Sequence, residues 1–200
     1  ISSPKSNQAT ISVSGDGQQL FMYKDINGNG EIYVANYDLE LDDFGTPEKM
    51  GSDINTEHWE THATVSADGQ TLYFVSDRPG GLGGRDDSRC KKLPNGLWSL
   101  AQNVGAPINT PNDEDSPYFH PDGKTLFFSS NGETSMGGFD IYFTKVKEDG
   151  SWDTPVNMGY PLNTVDDDVF FTTNAKGDKG YYSSSKKGGF GQKDIYEISF

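Results

Sequence analysis

The sequence predicts an all-β fold, a β-propeller of four four-stranded blades, on three observations. A turn glycine recurs at Gly17, Gly69, Gly123 and Gly177, at intervals of 52, 54 and 54 residues. Other marks keep step with it. Asp86, Asp140 and Asp194 stand 17 residues after their glycines, Trp98 and Trp152 stand 29 after, and "INT", "INT" and "LNT" place Asn55, Asn109 and Asn163 at 38, 40 and 40. Between these marks lie short alternating runs rich in aromatic residues, with no helical periodicity. One small sheet cannot cover both of its faces, so repetition at this period means that units stack on one another.

Each unit opens with an inner strand, "ATVS", "SPYFH" or "VFFTT", turns at an Asp-Gly type pair, and returns as "TLYFVS", "TLFFSS" or "GYYSSS", a hairpin pattern. A Gly-rich loop follows: "SDRPGGLGGRD" at 76–86, "SSNGETSMGGFDIY" at 129–142, "SSSKKGGFGQKDIY" at 183–196. The first imitates a phosphate loop but lacks the Gly-Lys-Ser/Thr ending and a following helix. It is read as architecture, its glycines supplying positive φ. A third strand, "DIYFTKV" or "DIYEISF", comes next, and after "LPNG" or "KEDGS" a fourth begins at the Trp. The units, about 9–61, 62–115, 116–168 and 169–200, form a single domain. The last lacks a fourth strand, which residues 1–8 are expected to supply by pairing with the C-terminal end. The array is then a closed four-bladed ring; otherwise it is part of a larger propeller.

Composition narrows the function. With 16 basic and 30 acidic residues the formal charge is −14, which argues against nucleic acid and anionic membrane surfaces as partners. Basic proteins, cations and neutral glycans stay open. Cys90 is the only cysteine, so no internal disulfide forms, and no apolar run is long enough to span a bilayer. The chain opens without Met or a signal-like segment, which reads as a mature or excised piece.

The third unit, "SPYFHPDGKTLFFSSNGETSMGGFDIYFTKVKEDGSWDTPVNMGYPLNT", resembles the WD40-like repeat with a Pro-Asp-Gly turn found in the periplasmic propeller of the Tol system. Its long form, with "GG-x-DIY", a Trp and "P-x-N-x-G-x-x-[IL]-N-T", is similar to propellers that precede OmpA-like domains in Bacteroidetes envelope proteins, including a type IX secretion component. Units one and two depart from it, with "NGNGEIY" and "GGRDDSR", and the loss of the Ile-Tyr pair leaves the third strand of unit two open. The resemblance implies a non-catalytic protein-interaction scaffold of the Gram-negative envelope, periplasmic or outer-membrane-associated.

Candidate sites follow from register. An acid stands five residues after each Asn mark: Glu60, Glu114 and Asp168. If the first strand is innermost, these would sit at the channel mouth beside His58, Trp59 and Asp113, on the face that carries the Gly-rich loops. Gathered carboxylates focus a negative potential that suits a basic partner. The plainer alternative, that each acid caps backbone amides in its own blade, is favoured. "DINGNGEIYVAN" imitates a calcium loop through Asp25, Asn27 and Asn29 but has Asn36 at the twelfth position, where a bidentate Glu is required, so a hairpin turn is favoured. No other cofactor is expected. His58, His62 and His120 make no metalloprotease pattern, and Cys90 in "SRCKK" has basic neighbours that would lower its pKa but no base partner. Tyr73, Phe74, Phe127, Phe128, Tyr181 and Tyr182 are expected to pack between blades, and Trp59, Phe139 and Phe190 are the sugar-stacking candidates if the partner is a glycan. A propeller hydrolase or lyase is the remaining alternative.

Overall fold

Asp-Gly turns and alternating aromatic runs produce hairpins throughout the computed structural model, which describes residues 7–200. Four antiparallel sheets form a four-bladed β-propeller without helices among the described residues. Blade 1 holds β1 (Gln8–Val13), β2 (Gln19–Ile26) and β3 (Asn29–Asp38), with β4 (Asp43–Phe44) and β5 (Glu48–Lys49) both on β3. Blade 2 holds β6 (Glu60–Val65), β7 (Thr71–Ser76), β8 (Asp86–Lys91) and β9 (Gln102–Asn103). Blade 3 runs through β10 (Glu114–Phe119), β11 (Thr125–Ser130), β12 (Asp140–Lys145) and β13 (Val156–Asn157), and blade 4 through β14 (Asp168–Thr173), β15 (Lys179–Ser184) and β16 (Asp194–Ser199). The inner strands β1, β6, β10 and β14 surround a central cavity of about 420 Å³.

The turn glycines have φ of +73°, +69°, +71° and +70°, a conformation that side chains disfavour. The Asp beside three of them closes the turn: Asp16 and Asp68 accept from Ser14 and Ser66 hydroxyls at 2.6 and 2.5 Å, and Asp122 accepts from Thr125 at 2.6 Å. Those serine hydroxyls hold the Asp16 and Asp68 carboxyls below their usual value. At Asp122, burial opposes the shift, yet the Thr125 hydroxyl and the amides of Lys124 and Thr125 bring the carboxyl down to about 2.

Three apolar cores fill the seams between successive blades. Phe21, Ile32 and Ile54 meet Leu72, Phe74 and Cys90; Tyr73 and Ile108 meet Phe119, Phe128 and Trp152; Ile141 and Leu162 meet Phe171 and Tyr182. A fourth cluster, Leu20, Met22 and Ala35, stays within blade 1, packed against Tyr33 and Phe44. Between blade 4 and blade 1 the described residues form no such core. The matching face of blade 4 exposes Tyr181 and Ile195 at 43 and 81%. Tyr181 is therefore the exception among the six aromatics expected to pack between blades.

Other expectations need correcting. The expected closing strand of residues 1–8 lies outside the described residues for 1–6, and Gln8 pairs with Lys24 in blade 1. Trp98 and Trp152 do not start long fourth strands; each makes an isolated bridge, and the outer strands are two residues long and come later. The third strand of unit two forms, with Asp87 fully buried where the other units have Ile. The Gly-rich loops need glycine chiefly for close approach. Gly80 has φ +98°, but Gly83 and Gly137 have no positive φ. A Cβ on Gly83 would lie 1.7 Å from the Asn112 carbonyl oxygen, and one on Gly137 2.2 Å from that of Val165.

Candidate functional site

The Asn marks splice each connecting segment onto the preceding blade. The Asn163 side chain accepts from the Ile141 amide and donates to the Ile141 carbonyl, both at 2.8 Å, as Asn109 does with Asp87 and Asn55 with Ile32. The next residue, a Thr, donates its amide and hydroxyl to the acid four residues on: Thr56 to Glu60, Thr110 to Glu114, Thr164 to Asp168. Glu60, Glu114 and Asp168 are fully buried. They do not form an exposed ring at the channel mouth, because the amide and hydroxyl one turn upstream draw each carboxylate inward. The Asp marks cap the loops likewise, Asp86 accepting from Leu82 and Gly83 and Asp140 from Met136.

Of the remaining predicted mouth residues, Trp59 and Asp113 come together around a cation that sequence reasoning passed over. The Arg85 guanidinium donates to Asp115 at 2.7 Å and to Asp113 at 3.3 Å, lying 5.7 Å from the Trp59 ring and 5.2 Å from Phe139. Trp59 packs edge-on to Tyr23 and donates its Nε1 to the Tyr23 hydroxyl at 3.0 Å. Both aromatics are half-buried and occupied by Arg85, which removes them as open sugar-stacking platforms; Phe190 alone is fully exposed. His58 stands at the rim, 4.0 Å from Asp77 and from Glu57. His62 Nδ1 lies 2.6 Å from Asp115. Burial would raise the Asp115 carboxyl, but His62 and Arg85 outweigh it and hold the group below its usual value.

The inner strands carry β-bulges at the central cavity, and there His62, Ser116 and Phe170 have φ of +36°, +53° and +60°. Such non-glycine strain collects where a strand is re-aimed at a site. Nothing in these residue types announces it, since none is Gly or Asn. The only signal was positional, each standing two residues after a buried acid.

The calcium-like segment is a hairpin turn. Asn27 and Gly28 have φ of +57° and +84°, the Asp25 carboxylate accepts from the Gly28 amide, and the Asn29 amide group donates to Thr56. No cluster of three or more His, Cys, Asp or Glu suited to a metal occurs among the described residues. Cys90 is buried in the first seam, and burial pushes its thiol up to about 11, against Arg78, so the expected lowering by neighbouring basic residues does not occur.

The buried acids make stability depend on pH. Burial pushes Glu114 to about 7, against the hydroxyls and amide that favour its charged form, and Asp87 is raised well above its usual value by burial and then by Glu114, Asp115 and Asp86. A carboxyl raised on folding contributes stability that is complete below its unfolded pKa and is lost as pH rises through the folded one. For Glu114 this is at most about 3 kcal/mol, on the order of 5–10 °C for a chain of this size. The thermal midpoint, followed by circular dichroism, should therefore fall from pH 5 to pH 8, and Glu114→Gln should flatten part of that slope, Asp87 supplying the rest. An unchanged slope would mean that Glu114 is already ionised at pH 5.

Comparison with known proteins places this geometry. Over 99% of this chain, and 42% of the other, it is similar to TolB from Acinetobacter baumannii, with a TM-score of 0.65 at 15% identity. The fold is that of the TolB propeller. A TolB structure from Agrobacterium tumefaciens matches over 94% of this chain and 59% of its own, with a TM-score of 0.58 at 20% identity. The chain thus spans less than two thirds of the TolB chains it matches. No family model and no curated protein matches the sequence, and nothing among the comparisons bears on the narrower Bacteroidetes resemblance. The chain is also similar to a prolyl endopeptidase structure, over 92% of this chain and 24% of the other, with a TM-score of 0.56 at 17% identity. The expectation that the chain is not an enzyme is overturned by that match: enzymes carry this fold too, so it is no ground for excluding catalysis.

Proposed function

We propose that this chain is a protein-binding propeller of the bacterial cell envelope, located in the periplasm or at the outer membrane, that presents the face carrying its Gly-rich loops to a basic partner. One observation carries the reading. The arginines of that face are spent internally, Arg78 on Glu60 and Arg85 on Asp113 and Asp115, while Glu57 and Glu133 remain exposed. Lys186, Lys187 and Lys193 in the blade-4 loop offset part of this rim, but the acidic excess of a chain of formal charge −14 steers basic surfaces toward it. The TolB-like fold and the Pro-Asp-Gly repeat support an envelope setting. A glycan reading is weaker, because Arg85 covers Trp59 and Phe139.

The test is site-specific photo-crosslinking in cells. A photoreactive residue at Glu57 or Glu133 should trap one envelope protein, with adducts that weaken as salt is raised, whereas the same group at Gln18 or Gln70 on the Asp-Gly face should not. Equal trapping from both faces would sink the proposal.

A further inference from the structure

Blades 2 and 3 are near-copies, and one difference between them leaves a socket. In blade 2 the Arg78 guanidinium reaches inward to four partners: Glu60 Oε1 at 3.0 Å, the Ile54 carbonyl at 2.5 Å, Ser76 Oγ at 2.8 Å and the face of Phe74 at 5.2 Å. At the equivalent places blade 3 has Glu114, Ile108, Ser130 and Phe128, but Gly132 stands where Arg78 does. Glu114 Oε1 accepts from the Thr110 and Ser130 hydroxyls, at 2.7 and 3.0 Å, as Glu60 Oε1 does from Thr56 and Ser76. No cation joins it among the described ion pairs. A cavity of about 420 Å³ opens there, lined among others by Ile108, Thr110, Phe128, Ser130, Gly132 and Tyr142.

We propose that this blade-3 socket receives the guanidinium of an arginine side chain presented by a partner. Its walls offer the Ile108 backbone, the Thr110 and Ser130 hydroxyls and the Phe128 ring, with the fully buried Glu114 carboxylate directly behind those two hydroxyls, and a planar group with several fixed donors matches that set better than a point charge. Blade 4 shows the contrast. There Lys186 turns to the Tyr182 hydroxyl at 2.8 Å and the Tyr196 ring at 3.6 Å and forms no ion pair with Asp168 among the described residues, so an ammonium at this position does not reach the buried acid as the Arg78 guanidinium does. The burial that raises Glu114 toward about 7 is the cost a bound cation would relieve. The socket deepens the reading of an acidic binding face and rests on it only for the source of the arginine.

The probe is Nα-acetyl-arginine-N-methylamide, with the isosteric, uncharged citrulline amide as control, titrated into the protein at pH 8 by ¹⁵N NMR. The arginine amide should shift the amide signals of Thr110 and Gly132, at least about tenfold more tightly than the citrulline amide, because charge and geometry act together. Glu114→Gln should abolish those shifts. Gly132→Arg should abolish them too, by filling the socket from within, and should raise the thermal midpoint. Its backbone is suited to this, since the Gly132 amide already bonds Ser130 Oγ at 3.1 Å, as that of Arg78 bonds Ser76 Oγ at 3.2 Å. Shifts that survive either substitution, equal affinity for the two amides, or shifts confined to other residues would each overturn the proposal. The titration involves no partner, so its failure is distinct from a failure of the crosslinking.

Discussion

Asn163→Ala is expected to cost the fold about 2–3 kcal/mol, toward the upper end of the roughly 1–3 kcal/mol lost when a buried polar group is left unpaired. Asn163 is fully buried. Its side chain satisfies the Ile141 amide and carbonyl and bonds Asn157 Oδ1, all at 2.8 Å. Truncation orphans the Ile141 amide and takes one of two donors from the Ile141 carbonyl, which keeps the Met158 amide, and from Asn157 Oδ1, which keeps the Gly159 amide, in the seam between blades 3 and 4, where Leu162 and Ile141 belong to the apolar core. Urea unfolding should show the loss as a lower midpoint at unchanged slope. A loss below about 1 kcal/mol would mean that water enters and replaces the side chain. The equivalent change at Asn109 should behave alike, because it spans Asp87 in the same way.

Arg78→Ala is expected to cost about 3–5 kcal/mol, the usual loss when one partner of a buried ion pair is removed. Glu60 is fully buried and would keep its two hydroxyl donors without the guanidinium. The Ile54 carbonyl would lose its donor as well. Adding Glu60→Gln should restore part of the loss, since it removes the uncompensated charge, and a double-mutant cycle measures the coupling. Glu114→Gln provides the contrast at pH 8. With no arginine on Glu114, neutralising it should be neutral or stabilising. Equal destabilisation by Glu60→Gln and Glu114→Gln would show that the two carboxylates sit in equivalent surroundings.

The period, the hairpins and the Asp-Gly turns could be read directly because they depend on neighbours in the chain: a positive φ at Gly123 needs only the residues of its own turn. The Asn marks were visible as spacing, but their role was not. What Asn109 binds is the backbone of Asp87, 22 residues earlier, and no local pattern states that. Glu60, Glu114 and Asp168 were placed correctly along the chain, yet their burial depends on which way a carboxylate turns between an upstream Thr and solvent. Arg85 was passed over because its partners lie 28 and 30 residues away on the next blade. The glycines of its loop were assigned to backbone freedom when contact with the following segment governs them.

By itself, then, the sequence determined the repeat, the strand order within each blade and the face to which each loop belongs, since these rest on alternation and turn chemistry within a few residues. Tertiary structure alone decided that the repeated acids are interior caps, that Arg85 closes over Trp59 and Phe139, and that Gly132 leaves a socket where Arg78 fills one. Each depends on groups brought together from separate segments, where burial and charge pairing choose among positions that the chain order leaves equivalent.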